Sequence, residues 1–282
     1  MSLRILHVLD HSLPLHSGYS FRTLAILREQ RALGWQTAHM TTPKQRSGTH
    51  LQEEVDGWSF HRTPNAGGNG LLSQMRLTAA RLREVVLMTK PDLIHAHSPV
   101  LNALPSLWVG RRLRLPVVYE MRASWEDAAV DHGTTQEGSL RYRTSRSLES
   151  LALRHADQVT TICEGLRGDI ASRGIPPERI TVIPNAVDVS LFRLGTEPDA
   201  ELRRSLGLNG ATVVGFAGSF YGYEGLDLLI EAVRQMLPRH PQLRLLLVGG
   251  GPQESNLRAQ AVAAGLQERV IFTGRVPHAE VQ

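Results

Sequence analysis

Short apolar runs alternate with longer amphipathic stretches along this chain, and the alternation starts afresh after residue 199. Side chains repeat every two residues in a strand and every 3.6 in a helix, so the two kinds of segment separate by period. Strands are predicted at residues 3–9, 36–42, 55–62, 92–96, 116–121, 157–163 and 179–183. Helices are predicted from Phe21 to Gly34, where Leu24, Leu27 and Leu33 keep helical spacing, and at 71–89, 100–113, 139–155 and 164–173. Residues 43–49 and the glycine-rich 65–70 are predicted loops. After a polar stretch at 188–198, a second series predicts helices at 200–206, 226–237 and 253–263 and strands at 212–217, 243–248 and 270–272. Runs such as Leu245-Leu246-Leu247-Val248 are apolar on both faces, as in parallel strands covered by helices. The expectation is an α/β protein of two facing, doubly wound domains: residues 1–188, a linker at 189–199, and a partial second domain at 200–282. In such sheets ligands bind outside the carboxyl ends of the strands.

Composition narrows the function classes. The chain is 282 residues long with one cysteine, Cys163, so an internal disulfide and a four-cysteine zinc site are both excluded. No run of 18 uncharged apolar residues occurs, and Asp10 comes too early for a signal peptide, so a cytoplasmic protein is expected. The net charge of +4 lies in residues 1–188, with 22 Lys+Arg against 18 Asp+Glu; residues 189–282 carry 9 of each. Lys44 and Lys90 are the only lysines, so a buried phosphate would be met by arginine, backbone N–H groups or a helix terminus. The small excess and the 5% aromatic content argue against nucleic acid. The second series has three strands and stops at Gln282 where another helix would begin. A three-stranded parallel sheet with an uncovered edge is a poor independent fold, so truncation is expected.

Several motifs follow one another in a fixed order. Ser17-Gly18 follows the first strand; Pro91-Asp92-Leu93-Ile94-His95-Ala96-His97-Ser98 opens the fourth. Residues 179–188 end in Ile183-Pro184-Asn185-Ala186-Val187-Asp188 and are followed by Phe192; Gly218 begins a loop leading to Glu224-Gly225-Leu226. Gly249-Gly250-Gly251-Pro252 and Thr273-Gly274-Arg275-Val276 close the series. Taken together, the order resembles the retaining glycosyltransferases of family 4, whose GT-B fold pairs two Rossmann-like domains. Tyr119-Glu120-Met121-Arg122, Trp125-Glu126-Asp127 and Gly218-Ser219-Phe220-Tyr221-Gly222-Tyr223-Glu224-Gly225 look closest to the exosortase A system-associated branch. That resemblance implies sugar transfer from a UDP- or GDP-sugar to a glycan or polyprenyl-linked acceptor in bacterial exopolysaccharide synthesis.

The same resemblance implies roles for individual residues, each beside a plainer reading. Gly18 would let backbone approach the donor sugar or its diphosphate, or is a plain turn glycine. His97, at a strand's carboxyl end, would face the cleft, or is a satisfied structural histidine; His95 packs behind it. Glu120 and Arg122 share a pleat phase. Arg122 would contact the donor, with Glu120 orienting it; alternatively the two form a buried pair. Many relatives carry His-Asp where Arg122-Ala123 stand here. Trp125 and Glu126 open a long loop running to Gly138 and would meet the acceptor, or Trp125 is a packing residue. Typical relatives bind the leaving diphosphate with Arg and Lys where this chain has Ser219 and Glu224, neither of which neutralises phosphate. Charge would then come from Arg122 or from helix N-termini near Leu226 and Gly250. Gly250 and Arg275 fall where relatives approach the nucleotide and its base. Pro184-Asn185 and Asp188 mark the hinge side.

Relatives also carry two glutamates seven residues apart further along, so these 282 residues are expected to bind donor weakly and to be inactive alone. No cofactor and no metal is expected, since no DxD-type carboxylate pair ends a strand. Arginines in 71–89 and 141–154 raise peripheral docking on an anionic inner membrane, against solvated outer helix faces. Two rival functions stay open: a nucleotide-sugar 2-epimerase on the same fold, and a non-catalytic binding partner.

Overall fold

The computed structural model describes residues 2–45, 50–64, 70–131, 133–190, 197–277 and 280–281. Residues 65–69 of the predicted 65–70 break, 46–49 of the predicted 43–49 loop, Phe192 with the middle of the predicted linker, and residues 278, 279 and 282 lie outside the described residues. The chain divides into two compact units, Met1–Asn185 and Ala186–Gln282.

Unit 1 contains β1 (Arg4–Leu9), α1 (Gly18–Ala32), β2 (Gln36–Thr41), β3 (Gln52–Val55), β4 (Trp58–His61), α2 (Leu71–Thr89), β5 (Leu93–His97), α3 (Val100–Leu113), β6 (Val117–Met121), α4 (Trp125–Asp131), α5 (Leu140–His155), β7 (Gln158–Thr161), α6 (Glu164–Ser172) and β8 (Ile180–Val182). Its sheet runs β3-β4-β2-β1-β5-β6-β7-β8, parallel except for β3 against β4. One strand was expected at 55–62, but the structure has a hairpin. Asp56 and Gly57, with φ of 52° and 74°, form the two-residue turn that an Asp-Gly pair favours because both positions need positive φ. The expected loop after Trp125 begins instead with α4.

The two faces of this sheet differ. Leu6 and Val8 of β1, Ile94 and Ala96 of β5, and Tyr119 and Met121 of β6 share one pleat phase and form a core with Leu82 and Val86 of α2, Leu107 of α3 and Leu153 of α5. Gly110 of α3 packs so close that a Cβ there would lie 2.5 Å from the Val117 side chain. The other phase carries His7, His95, His97 and Glu120, all buried. On this second face the expected apolarity is kept by Ile5 and Leu9 of β1 and gives way to the polar cluster between and beside them.

Unit 2 contains α7 (Ala200–Ser205), β9 (Thr212–Ser219), α8 (Leu226–Met236), β10 (Leu243–Gly250), α9 (Glu254–Ala263) and β11 (Val270–Gly274). Its sheet is β11-β10-β9, all parallel. Leu245 and Leu247 of β10 pack with Ile230 and Val233 of α8 and Leu257 of α9.

Candidate functional site

The polar face of unit 1 converges on Glu120. Burial disfavours its carboxylate, but contacts with His97, Arg122 and His95 outweigh that and hold its pKa well below the usual range. Oε2 lies 2.8 Å from His97 Nδ1 and 3.0 Å from Arg122 Nη2; Oε1 accepts from Arg22 Nη2 at 2.8 Å. His97 Nε2 meets His7 Nδ1 at 2.9 Å, and His7 Nε2 meets Gln30 Oε1 at 2.8 Å. Burial first, and then the Arg122 charge, drop His97 to about 3, so its imidazole is neutral near pH 7. Burial and the neighbouring His97 do the same to His95, also to about 3.

Of the two readings of Glu120 and Arg122, the geometry is that of the buried pair. Arg122 turns beneath α1: Nη1 donates to Tyr19 O and Thr23 Oγ1, both at 3.1 Å, and the guanidinium lies 4.3 Å over the Tyr19 ring. Its Nε is buried with no partner. His97 is fully buried, with both ring nitrogens engaged. Glu126 is buried too. It accepts from Arg173 Nη2 at 2.7 Å, which draws α4 against the end of α6. Trp125 is 40% exposed, and Lys44 Nζ stands 5.6 Å from its ring centre.

His7, His95 and His97 offer ring nitrogens within 4.8 Å of one another, as a metal ion would require. Two guanidinium groups already attend the one carboxylate beside them, so a divalent ion would add buried charge with no anion left to offset it. The donor set does not favour a metal.

Above this network, at the carboxyl ends of β1, β2 and β5, lies a cavity of about 260 Å³. Asp10, Thr42, Lys44, Gln74, Thr78 and Asn102 supply its polar lining, and Pro43, Pro99 and Leu101 its apolar part. Asp10 pairs with Lys44 at 2.8 Å and His11 at 3.1 Å. Asn102 is 1% exposed; its Nδ2 donates to His97 O at 2.8 Å, while Oδ1 is buried without a partner. Sequence reasoning missed Asp10 and Lys44 as site residues, and Asn102 altogether. The first two follow β1 and β2 directly, so the rule that ligands gather at strand ends was the available signal.

Gly18 is the first residue of α1, and a Cβ there would meet nothing within 4 Å, so its surroundings are open to a ligand. Ser17 caps the helix, accepting from Ser20 N–H. In unit 2, Ser219 and Glu224 are exposed. The triple glycine has a packing reason: a Cβ on Gly249 would lie 1.9 Å from Gly218 O, and one on Gly251 2.7 Å from Phe220 N. A Cβ on Gly250 would lie 3.5 Å from Arg275 Cγ, which puts the exposed Arg275 beside this loop.

Comparison with known proteins agrees with this architecture. Residues 17–186 match the glycosyl transferase 4-like domain, and residues 198–282 match the glycosyl transferases group 1. The 2-deoxystreptamine glucosyltransferase of Streptomyces kanamyceticus is 30% identical over 72% of this chain and 54% of its own length. The D-inositol 3-phosphate glycosyltransferase of Acidothermus cellulolyticus is 30% identical over 71% of this chain and 46% of its own. The chain thus spans about half the length of the curated relatives it matches. Among solved structures, Anabaena HepE in complex with UDP-glucose superposes with a TM-score of 0.72 at 21% identity, covering 98% of this chain and 70% of that one. Sucrose-phosphate synthase from Thermosynechococcus elongatus gives 0.72 at 20%, covering 98% and 71%. The fold is the α/β GT-B type, with two Rossmann-like units of which the second is smaller.

Proposed function

This chain belongs to the glycosyl transferase 4-like family, and from that premise we propose that it serves a hexosyltransferase that moves a sugar from a UDP- or GDP-sugar to a glycan or lipid-linked acceptor in bacterial exopolysaccharide synthesis. The observation that carries the reading is the unit 1 cavity. Asp10 is an acceptor for sugar or polyol hydroxyls, which have donors to give. Relatives that act on 2-deoxystreptamine and on D-inositol 3-phosphate have polyhydroxylated acceptors of this kind. UDP-glucose bound to HepE supports a nucleotide-sugar donor.

In this reading the anomeric carbon leaves the diphosphate oxygen, the acceptor oxygen attacks from the same face, and the departing phosphate takes the acceptor proton. Configuration is retained. No metal is part of this reading: within unit 1 the N-terminus of α1 at Gly18 is offered to the donor diphosphate. Trp125 borders the acceptor through Lys44. Glu120, His97 and Arg122 act from below, as the buried floor of the site. No helix among the described residues is long and apolar enough to cross a membrane. The exposed Arg76 and Arg83 of α2 and Arg141, Arg143 and Arg154 of α5 suit an anionic lipid surface. Arg81 does not join them, because it is buried on Arg62 O and Leu51 O.

The uncharged Ser219 and the acidic Glu224 favour a second reading, a non-catalytic partner. Transfer assays on the full-length protein with UDP- and GDP-sugars and polyol acceptors, alongside isothermal titration of the same donors, separate the two. Asp10→Asn is expected to raise the acceptor KM about tenfold with donor binding unchanged, as loss of one charge-assisted hydrogen bond requires. Donor binding without transfer to any acceptor would leave the partner reading standing; sugar released or epimerised without acceptor would point to the epimerase class.

A further inference from the structure

Arg22 lies one turn into α1, and every hydrogen of its guanidinium is used. Nε and Nη2 donate to Glu120 Oε1 at 3.0 and 2.8 Å. Nη2 also donates to Ile183 O at 2.6 Å, and Nη1 donates to Pro184 O and Asn185 Oδ1, both at 3.0 Å. Five donor hydrogens meet four acceptor atoms, Glu120 Oε1 taking two, which uses the full capacity of the group. The acceptors belong to two places. One is the buried end of β6. The other is the segment after β8, and unit 1 ends at Asn185.

That segment has little else to hold it. Ile183 N–H closes the β8 ladder on Thr161 O at 2.7 Å, and residues 183–188 have no regular structure. Ile183 is 43% exposed, and Pro184 and Asn185 are exposed as well, so apolar burial contributes little. The Arg22 side chain is only 11% exposed, and its anchor Glu120 is itself fixed by Arg122 and His97. A planar fork pinned at one edge presents its other edge in one orientation.

We propose that Arg22 is a positioning residue that sets the path by which the chain leaves unit 1, so that the fixed path of unit 1 extends to Asn185 rather than stopping at the end of β8. Gly18 precedes Arg22 by one turn of the same helix. A shift of the first turn of α1 on binding an anion is therefore passed to Asn185. That last link rests on the transferase reading; the clamp does not.

The test is backbone ¹⁵N relaxation on the deuterated chain without ligand, so its failure is separate from failure of the proposed function. In the native chain the amide of Asn185 is expected to show an order parameter of ~0.85, falling below ~0.6 in Arg22→Ala. Arg22→Lys, with a compact ammonium in place of the fork, should fall between the two. Unchanged order parameters in an Arg22→Ala chain whose β6 and β8 amides keep their native shifts would overturn the proposal. Should Arg22→Ala fail to fold, Asn185→Ala decides: it removes one acceptor and leaves the Glu120 pair whole. A drop at the amide of residue 185 then supports the clamp, and no drop sinks it.

Discussion

Two glutamates of unit 1 are buried to the same degree, 1% exposed each, yet their protons behave oppositely. Glu120 points from β6 toward α1. Glu149 reaches from α5 to the hydroxyl of Tyr119, the residue before Glu120 and therefore on the opposite face of the sheet. Burial raises both. At Glu120, His97 and Arg122 overturn that push, and the carboxylate stays ionised. At Glu149 the Tyr119 hydrogen bond opposes burial but the nearby Glu126 charge reinforces it, and the pKa rises to about 7. Burial alone does not decide the charge; the neighbouring groups do. One face of the sheet is built to hold fixed charge, and the other tolerates an acid only near neutrality.

The largest expected effect breaks this symmetry directly. Glu120→Gln keeps the shape but leaves Arg22 and Arg122 buried without their anion, a loss of about 3–5 kcal/mol in stability. Glu149→Gln keeps shape and near-neutral character and should cost no more than about 1 kcal/mol at pH 6. Urea unfolding of the two variants at pH 6 measures both. A Glu120→Gln chain no less stable than Glu149→Gln would remove the basis of the comparison.

Much of this was legible from period alone. The strands and helices of unit 1, and the parallel strands of unit 2, follow from spacing. The shared phase of Glu120 and Arg122 placed both on one face. The hairpin at Asp56-Gly57 was missed because a run over 55–62 reads as one strand unless the turn pair is weighed. Burial of Glu126 was illegible for another reason. Its partner Arg173 lies 47 residues away, and no local pattern signals a pair made across that distance. Arg22 escaped for the same cause: its anchor is 98 residues off. The floor of the site is thus a product of tertiary register, and the strand-end rule, had it been applied residue by residue, would have reached only its rim at Asp10 and Lys44.

The next effect sharpens the contrast through pH. Glu149 has a folded pKa of about 7, above its unfolded value of 4.5. Its contribution is fully present below pH 4.5 and is lost as pH rises through 7, up to about 3 kcal/mol. His95 and His97 work in the other direction. Their folded values near 3 lie below the unfolded 6.5, so the unfolded chain gains protons first and stability falls as pH drops from 6.5 toward 3. Unfolding free energies should therefore rise from pH 4 and level off near pH 7, because two histidines outweigh the one opposing glutamate between pH 4.5 and 7. Glu149→Gln should steepen the rise between pH 5 and 7 and leave the steeper acid limb below pH 4.5 intact. A rise no steeper in Glu149→Gln would take the opposing term away from Glu149.

The smallest effect isolates the hydrogen bond that moderates Glu149. Tyr119→Phe fills nearly the same space in the core and removes only the hydroxyl donor. That bond is the larger of the two contacts that lower Glu149 against burial, the Arg173 charge being the other, so its loss should carry the pKa above 7. The variant should lose about 1 kcal/mol near pH 5, where the acid is neutral, and about 2 kcal/mol at pH 8, where a buried carboxylate is left without its donor. The extra loss at pH 8 is the informative part, since a packing defect would cost the same at both pH values. On the α1 face, Thr23→Val likewise removes an acceptor from Arg122, but Tyr19 O and Glu120 remain to hold that guanidinium. Its cost should be smaller and independent of pH over this range. A pH-independent Tyr119→Phe would mean that Glu149 has already found another donor, and the two faces would then differ in composition but not in how they control charge.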